Sequence, residues 1–191
     1  MGIITQIARS RRRRGITAAQ VAERTGLKTS NLYAIEQGRR SPTVETLERA
    51  AAGLGLRLLA VDIGELSFVS DFAEVIADYD ADGAEEQAYR AFMRLNRQLA
   101  AAPATTQVLL TYTPPRPVTV EWDAALAGLV EWRLRQKDAP IPEWVEENLG
   151  LDAGHWEPWP SVRHTDPDVH LVPGPFRRRG IWIEAGELDA A

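Results

Sequence analysis

The 191-residue chain contains no cysteine and has no long run of hydrophobic residues. The absence of cysteine excludes disulfide bonds and thiolate chemistry. No stretch approaches the ~18 consecutive apolar residues that a transmembrane helix needs, and the amino terminus lacks the charged segment followed by an apolar one that marks a secretory signal. We therefore expect a cytoplasmic protein that neither crosses a membrane nor is secreted.

Sequence signatures of catalysis are also missing. The chain has no glycine-rich phosphate loop, no nucleophile elbow and no HExxH zinc motif. We expect no catalytic residues, no bound cofactor and no resident metal, and hence a protein that is not an enzyme.

Two groups of residues resemble metal sites only in part. The segment Asp78–Gly83 begins like a calcium-binding EF-hand loop, but its twelfth position is Tyr89 instead of the glutamate that closes such a loop. We interpret this segment as a solvated acidic linker. Several residues near the carboxyl end lack metal-ligand spacing and are expected on surface loops, namely His155, His164, Asp166, Asp168 and His170.

Charge is distributed unevenly along the chain. Residues 1–60 hold 11 lysine and arginine residues against 4 acidic residues, whereas residues 61–191 hold 11 against 23. The net charge of −5 therefore hides a basic amino-terminal region and an acidic carboxy-terminal region. Because a polyanion responds to the local field of the surface that it meets, the amino-terminal region is compatible with nucleic-acid binding.

The amino-terminal region has the sequence pattern of four short helices. Apolar residues recur at helical spacing from Gly2 to Arg14, and the last turn of this first helix is cationic. Thr17 is placed to cap a second helix that ends at Thr25-Gly26, and a third helix is expected from about Thr29 to Gln37. Thr43 is placed to cap a fourth helix with apolar residues on one face.

This layout resembles the Xre/Cro family of helix-turn-helix regulators, which have the λ-repressor-like fold. The resemblance covers Ile3 to Leu59 and includes the turn glycine Gly26, the ending Ile35–Gly38 of the third helix, the basic loop Arg39–Pro42 and the Thr43 cap. It implies that the third helix enters the major groove of double-stranded operator DNA. The function that it implies is transcriptional regulation, and repression in particular.

The chain departs from the family pattern at two positions. Many members have glutamine where Ala18 stands, at the start of the second helix, where it helps to hold a phosphate. They often have serine where Lys28 stands. We therefore expect the cap of the third helix to move to Thr29.

The side chains expected to contact DNA lie on the third helix and on both sides of it. Asn31 is the strongest candidate for reading a base, because its amide can bond adenine N6 and N7 together. Arg39 and Arg40 suit backbone phosphates, because they lie in the loop that flanks the helix. The complete predicted set is Arg12, Arg13, Thr17, Lys28, Thr29, Ser30, Asn31, Tyr33, Arg39, Arg40 and Ser41.

Structural roles compete with DNA contact at some of these positions. Successive residues of the run Arg11–Arg14 point around the helix, so that one or two of them at most can face a duplex. For Thr29, helix capping is an equally good interpretation. Glu36 is expected to pair with a nearby arginine, because phosphates repel a carboxylate.

The stretch Leu56–Ile63 is rich in residues that favour strands and is predicted as a strand. A lone strand beside a helical domain needs a partner strand. We therefore hypothesise a homodimer, which would read two half-sites ~34 Å apart.

The expected fold is mainly α. An amino-terminal helix-turn-helix domain with a carboxy-terminal strand is assigned to residues 1–64, and a mostly helical interaction domain with a few short strands to residues 65–191. In the second domain we predict helices at Phe68–Tyr79, Glu85–Ala101, Trp122–Lys137 and Ile141–Leu149, an extended segment at Thr111–Pro117, a strand at Gly180–Glu184 and a short turn at Glu187–Ala190.

Three hypotheses for the acidic region stay open. All six tryptophans lie between Trp122 and Trp182, and anchoring of loops in a compact domain explains most of them. The segment Pro173–Ile183 resembles the carboxy-terminal regions of Xre-type antitoxins, which implies a cognate toxin protein as partner. An acidic surface would suit a basic toxin. One alternative is a small-molecule sensor whose pocket is lined by the tryptophans, and the other is an enzyme governed by the amino-terminal domain.

Overall fold

The computed structural model describes residues 3–58, 60, 62–158 and 167–190. The chain forms two compact units, Met1–Asp62 and Ile63–Ala191, which we call the head and the body. Both units are mainly helical. Among the described residues, no helix combines the length and the apolar character that a membrane span requires.

The described residues of the head form four helices, which together enclose one small core. The helices are α1 (Ile3–Arg13), α2 (Ala18–Thr25), α3 (Thr29–Glu36) and α4 (Val44–Ala52). Each turns an apolar face inward, and the buried residues are Ile7, Val21, Ala22, Leu32, Ala50, Ala51 and Leu54. The four predicted helices are confirmed, with ends that differ by one residue at most where they were predicted; Gly2 lies outside the described residues.

The turn between α2 and α3 depends on a glycine. Gly26 has φ of 68°, a left-handed conformation that glycine adopts without steric cost, and it ends α2. Arg49 of α4 donates a hydrogen bond to the carbonyl oxygen of Thr25 at 2.7 Å and so satisfies one of the carbonyls that the end of α2 leaves free. The turn is therefore fixed from both sides.

The strand predicted at Leu56–Ile63 is not observed in the described residues of that stretch, and Leu59 and Val61 lie outside them. Leu56 and Leu58 pack as partly buried side chains against the core of the head. An isolated strand leaves its N–H and C=O groups unpaired. Burial of the two leucine side chains against the helices is favourable without any strand pairing. The segment therefore packs along the core of the head instead of forming a strand.

The body contains seven helices among its described residues. These are α5 (Val69–Ala81), α6 (Glu85–Ala101), α7 (Ala104–Thr111), α8 (Val120–Arg135), α9 (Glu143–Glu146), α10 (Gly174–Arg177) and α11 (Ala185–Asp189). The central helix is α8, which packs against α6, α7, α9 and α10 and has buried residues on all sides.

Three of these body helices, α7, α10 and α11, were not predicted as helices, α11 having been expected as a short turn. The predicted strand at Gly180–Glu184 was wrong. The described residues there contain one isolated parallel bridge between Trp156 and Ile181. Its neighbouring hydrogen bonds run from Trp156 N to Gly180 O at 2.8 Å and from Trp182 N to Trp156 O at 2.9 Å. Because no further residues pair there, the segment does not extend into a strand.

A buried carboxylate of α8, Glu131, is surrounded by three arginines, of which Arg179 is buried and Arg135 and Arg178 are exposed. Glu131 is 3% exposed, and its carboxylate accepts hydrogen bonds from Arg179 at 2.8 Å and from Arg135 at 2.7 Å and forms an ion pair with Arg178. Burial alone would raise the pKa of Glu131, but these three guanidinium groups together hold it below its ordinary value. A buried carboxylate is tolerated here because its oxygens are fully paired.

The same guanidinium cluster fixes a loop. Arg179 also donates to the carbonyl oxygens of Pro175 at 2.9 Å and Val145 at 2.6 Å. The backbone of Gly150 lies against it, and a Cβ atom there would be 2.3 Å from the Cα atom of Arg179. Gly150 also has φ of 88°, so both space and conformation require glycine.

The last helix, α11, is held to the body by buried polar groups. Asn96 of α6 donates to the carbonyl oxygen of Leu188 at 2.7 Å, and Arg133 of α8 donates to the same oxygen at 3.1 Å. The Leu188 side chain is 1% exposed. The body core is therefore complete only when residues near position 188 are in place.

Candidate nucleic-acid interface

The α3 helix has one buried face and one exposed face. Leu32 and Ile35 are buried in the head, and they orient the helix so that its other side meets solvent. Ser30 and Tyr33 lie on the exposed side, and Tyr33 is 47% exposed although it is a large aromatic residue. This arrangement leaves polar and aromatic side chains free to contact a ligand.

The beginning of α3 differs from the expectation. Lys28 occupies the cap position, no side chain caps the helix, and Thr29 is the first helical residue. The expected cap by Thr29 was therefore wrong, because a residue inside the first turn has helical backbone angles and its own amide belongs to the helix. The consequence is that the Thr29 hydroxyl and the exposed Lys28 ammonium are not used for capping.

Asn31, the expected base reader, is half-buried. Its Oδ1 atom is buried and has no hydrogen-bond partner among the described residues. An unsatisfied buried amide oxygen costs free energy, so the side chain gains if it rotates toward a donor. The exocyclic amine at N6 of adenine is such a donor.

The loop after α3 carries two exposed arginines. Gly38 has φ of 69°, and the amide of Arg39 bonds to the carbonyl oxygen of Ala34 at 2.8 Å, which turns the chain away from the helix axis. The guanidinium of Arg39 contacts the side chain of Gln37. Arg40 and Ser41 are exposed. The loop thus presents positive charge beside the end of α3.

On the other side, the beginning of α2 is closed by a capping box. Thr17 Oγ1 accepts from Gln20 N at 3.2 Å, and Gln20 Oε1 accepts from Thr17 N at 2.8 Å. Ala18 is fully buried, so this position offers no side chain to a phosphate. Thr17 is exposed and remains the candidate contact at this helix end.

The four arginines at the end of α1 have different surroundings. Arg11 forms a two-point ion pair with Glu36, with N···O distances of 2.7 and 2.6 Å, and Arg14 bonds to the carbonyl oxygen of Leu54. The hydrogen bond with Glu36 raises the pKa of Arg11. Arg12 and Arg13 are exposed at the helix end. The expectation that Glu36 pairs with an arginine is confirmed.

Comparison with known proteins identifies the family. Residues 5–61 match the family model of a helix-turn-helix domain. The uncharacterized HTH-type transcriptional regulator y4dJ of Sinorhizobium fredii (strain NBRC 101917 / NGR234) is 42% identical over 52 residues, which are 27% of this chain and 68% of that protein. The chain belongs to the Xre/Cro-like helix-turn-helix family of transcriptional regulators.

A second relative of this helix-turn-helix protein is a repressor. The immunity repressor protein of Bacillus phage phi105 is 34% identical over 71 residues, which are 37% of this chain and 49% of the repressor. No solved structure gives a significant match. The family model ends at residue 61, so the body lies outside it.

Within the helix-turn-helix head, sequence reasoning did not identify which arginines have structural roles. Besides Arg11 and Arg14, Arg24 donates to the carbonyl oxygen of Gly53 at 3.2 Å, and Arg49 bonds to Thr25 as described above. Each of these carbonyls lies at or next to a helix end, where it has no helical partner. The sequence signal for Arg24 and Arg49 was their position in the last turns of α2 and α4.

The tryptophans of the body lie mainly inside it. Trp122 is buried and its Nε1 donates to Asp80 at 2.8 Å, while Trp132, Trp144 and Trp156 are partly buried against the core. Trp159 lies outside the described residues. Most of the described tryptophans therefore stabilise the body, and few are accessible as binding anchors.

The partial metal patterns of the sequence do not converge in the described part of the chain. No three His, Asp or Glu side chains there form a group that could hold a metal ion. Asp80 accepts the Trp122 hydrogen bond, and His155 stacks on Trp182 with ring centroids 3.6 Å apart. His164 and Asp166 lie outside the described residues.

Proposed function

We propose that the protein is a sequence-specific DNA-binding repressor that inserts α3 into the major groove of its operator. The observation that carries the proposal is the exposed polar face of α3 between two exposed cationic segments, the end of α1 and the Arg39–Ser41 loop. Membership of the helix-turn-helix family and the named repressor among the relatives support it.

The proposed contacts fall into two groups. Asn31 reads a base, with Lys28, Thr29, Ser30 and Tyr33 beside it on or near the exposed side of α3. Residues outside this helix contact backbone phosphates. Such contacts fix the position of the helix on the duplex without reading its sequence. These residues are Arg12, Arg13, Thr17, Arg39, Arg40 and Ser41.

One recognition helix reads a short sequence, so we propose that a homodimer binds two half-sites about one helical turn apart. Selection of binding sites from random duplexes by the full-length protein tests this function. Enrichment of a two-fold symmetric site with half-sites ~34 Å apart is expected. Recovery of no enriched sequence at low salt would contradict the proposal.

Repression is tested separately from binding. A reporter gene under a promoter that contains the selected site should lose expression when the protein is present, and a variant with Asn31→Ala should restore it. Increased expression would contradict repression and leave sequence-specific binding standing.

For the body we propose a protein-binding role, with a cognate toxin as the first candidate partner. The excess of acidic residues in the body supports a basic partner. Co-purification of the full chain with the product of the neighbouring gene, followed by a toxicity rescue assay, tests it. The competing hypothesis is a ligand-sensing body, for which a thermal shift that rises with the concentration of a small metabolite is expected instead.

A further inference from the structure

The outer face of α5 is acidic. Of its residues, Asp71, Glu74, Asp78 and Asp82 at the helix end are exposed, and the helix contains no basic residue. Asp78 and Asp82 have no ion-pair partner among the described residues, and both lie near the carboxyl end of the helix, where negative charge opposes the helix dipole. Asp71 accepts a hydrogen bond from Phe68 N at the beginning of the helix, and Glu74 lies 4.0 Å from the guanidinium of exposed Arg116, so the charges that do not stabilise the helix are Asp78 and Asp82.

The same face carries two exposed apolar side chains. Val75 is 41% exposed and Tyr79 is 38% exposed, and they are one helical turn apart. Tyrosine and arginine are enriched in protein interfaces relative to the rest of the surface.

The outer face of α6 has the opposite charge. Helix α6 is largely buried, and its narrow exposed stripe contains Arg90, Arg94 and Arg97, which are spaced one turn apart. Arg90 pairs with Glu86 on the same helix. Arg94 and Arg97 have no ion-pair partner in the part of the chain that the structure describes. This is an exposed arginine stripe on a unit whose net charge is strongly negative.

The two helices that carry the stripes are neighbours. Helices α5 and α6 pack against each other, and the connection between them is only Asp82–Ala84, so they run antiparallel. Asp78 lies five residues before Gly83 and Arg90 lies seven residues after it. Along the helix pair the two residues are therefore level to within two residues, or about 3 Å of helix rise. The same count matches Glu74 with Arg94 and Asp71 with Arg97.

We propose that this α5–α6 face binds the same face of a second copy of the chain. A two-fold axis in the interface, parallel to the helices, places α5 of each copy on α6 of the other, so that each acidic stripe meets an arginine stripe. An axis perpendicular to the helices would place acid on acid and arginine on arginine. The charges therefore select one of the two symmetric arrangements.

The proposed contact is weak and depends on salt. The face is two helices wide and about 20 Å long, which gives about 400 Å² per copy and about 800 Å² in total. Stable interfaces bury about 1,200–2,000 Å². Each exposed ion pair adds little, and such pairs are screened at high ionic strength. The inference gives a location to the homodimer of the proposed function, but it does not require DNA binding.

Charge reversal on the full chain tests the face. Variant A carries Glu74→Arg and Asp78→Arg, and variant B carries Arg90→Glu and Arg94→Glu. In each variant alone, two of the three matched levels then bring like charges together, whereas in a pair of A with B every matched level carries opposite charges. Analytical ultracentrifugation is done without DNA, at low salt and high micromolar protein concentration. The molar mass measured by sedimentation for the wild-type protein should be twice the 21.2 kDa of one chain. Each variant alone should be a monomer, and an equimolar mixture of A and B should form a heterodimer.

A matched control changes exposed charges elsewhere on the body. Asp152→Arg combined with Arg177→Glu should leave the wild-type dimer intact, because neither residue belongs to the α5–α6 face. Far-UV circular dichroism and tryptophan fluorescence establish that each variant is folded. A mixture of folded A and B that stays monomeric overturns the proposal. So does a variant B that keeps the dimer mass and binds DNA more weakly, because the stripe would then contact nucleic acid.

Discussion

Arg11 and Glu36 join the end of α1 to the end of α3 through a two-point ion pair whose side chains are only 13% and 9% exposed. Arg11 also donates to the carbonyl oxygen of Ile16 at 2.9 Å. The pair therefore holds the proposed recognition helix at a fixed position relative to the cationic end of α1. It consists of one residue from the arginine run and one from the helix that carries the predicted base reader.

Breaking this pair should destabilise the head. We expect Arg11→Ala to lower the free energy of unfolding by about 3 kcal/mol, since it leaves a largely buried carboxylate without its partner. Arg12→Ala is the control and should change it by about 0.5 kcal/mol or less, because Arg12 is exposed. Urea unfolding followed by circular dichroism measures both, and tryptophan fluorescence reports the body separately. Equal effects of the two variants would show that the pair contributes nothing.

Asn31→Ala should reduce sequence discrimination without reducing stability. The amide oxygen has no hydrogen-bond partner among the residues that the structure describes, so its removal costs no hydrogen bond seen in the fold. Loss of a base contact should cost about 1–3 kcal/mol of discrimination at one position of each half-site. Competition binding with operator variants measures discrimination, and thermal unfolding measures stability. Equal weakening on all sequences would contradict the role of base reader.

Arg39→Ala should instead weaken binding to all sequences alike. Loss of one phosphate contact should reduce the log–log salt slope of binding by about 1 per half-site. Arg14→Ala is the matched control, because its guanidinium bonds to the carbonyl oxygen of Leu54. That variant should lower stability and leave the slope unchanged. A slope that falls for Arg14→Ala and not for Arg39→Ala would reverse the assignment.

Acid should weaken the body through Glu131. The folded-state pKa of this carboxyl lies below its ordinary value of 4.5, so its contribution is complete above that value and is lost as the pH falls through the lower folded-state pKa. Burial raises the pKa of Asp123 despite a hydrogen bond from Val118 N, so protonation of Asp123 at low pH favours the folded state. The informative quantity is therefore the difference between the wild-type chain and Glu131→Gln. Urea midpoints by tryptophan fluorescence should differ above pH 4.5 and converge at lower pH. A constant difference would contradict this account.

Gly150→Ala should destabilise the body more than Gly154→Ala. Both glycines have positive φ, but a Cβ atom at Gly150 would meet the backbone of Arg179, whereas nothing lies within 4 Å of one at Gly154. The difference between the two variants isolates the steric term from the conformational one. Thermal unfolding of the two full-length variants measures it. A larger loss for Gly154→Ala would show that the loop moves away from Arg179 at little cost.

The sequence predicts most of the head because its signals are local. Capping threonines, a turn glycine and apolar residues at helical spacing need only a few neighbouring residues to act. In the body, α6 begins and ends at the predicted Glu85 and Ala101 for the same reason.

Elements that depend on distant contacts could not be predicted. Helix α7 contains three threonines and a valine, which lower helix propensity, and its burial against α8 overrides that preference. Helix α10 has Pro175 in its first turn, where proline is favourable, but it is only four residues long and carries no helical repeat of apolar residues. The bond of Arg14 to Leu54 joins residues far apart in sequence, and no spacing rule identifies it.

The position of Leu188 in the core has a consequence for synthesis. The head is made first, whereas the body cannot close its interior until the ribosome has added about 130 more residues, which takes on the order of 10 s. During that interval a nascent chain carries a complete helix-turn-helix unit and an unfinished body with exposed leucine and tryptophan side chains. In this period the new chain is most susceptible to aggregation and proteolysis. A chaperone that binds apolar segments would then have its largest effect on the yield of folded protein.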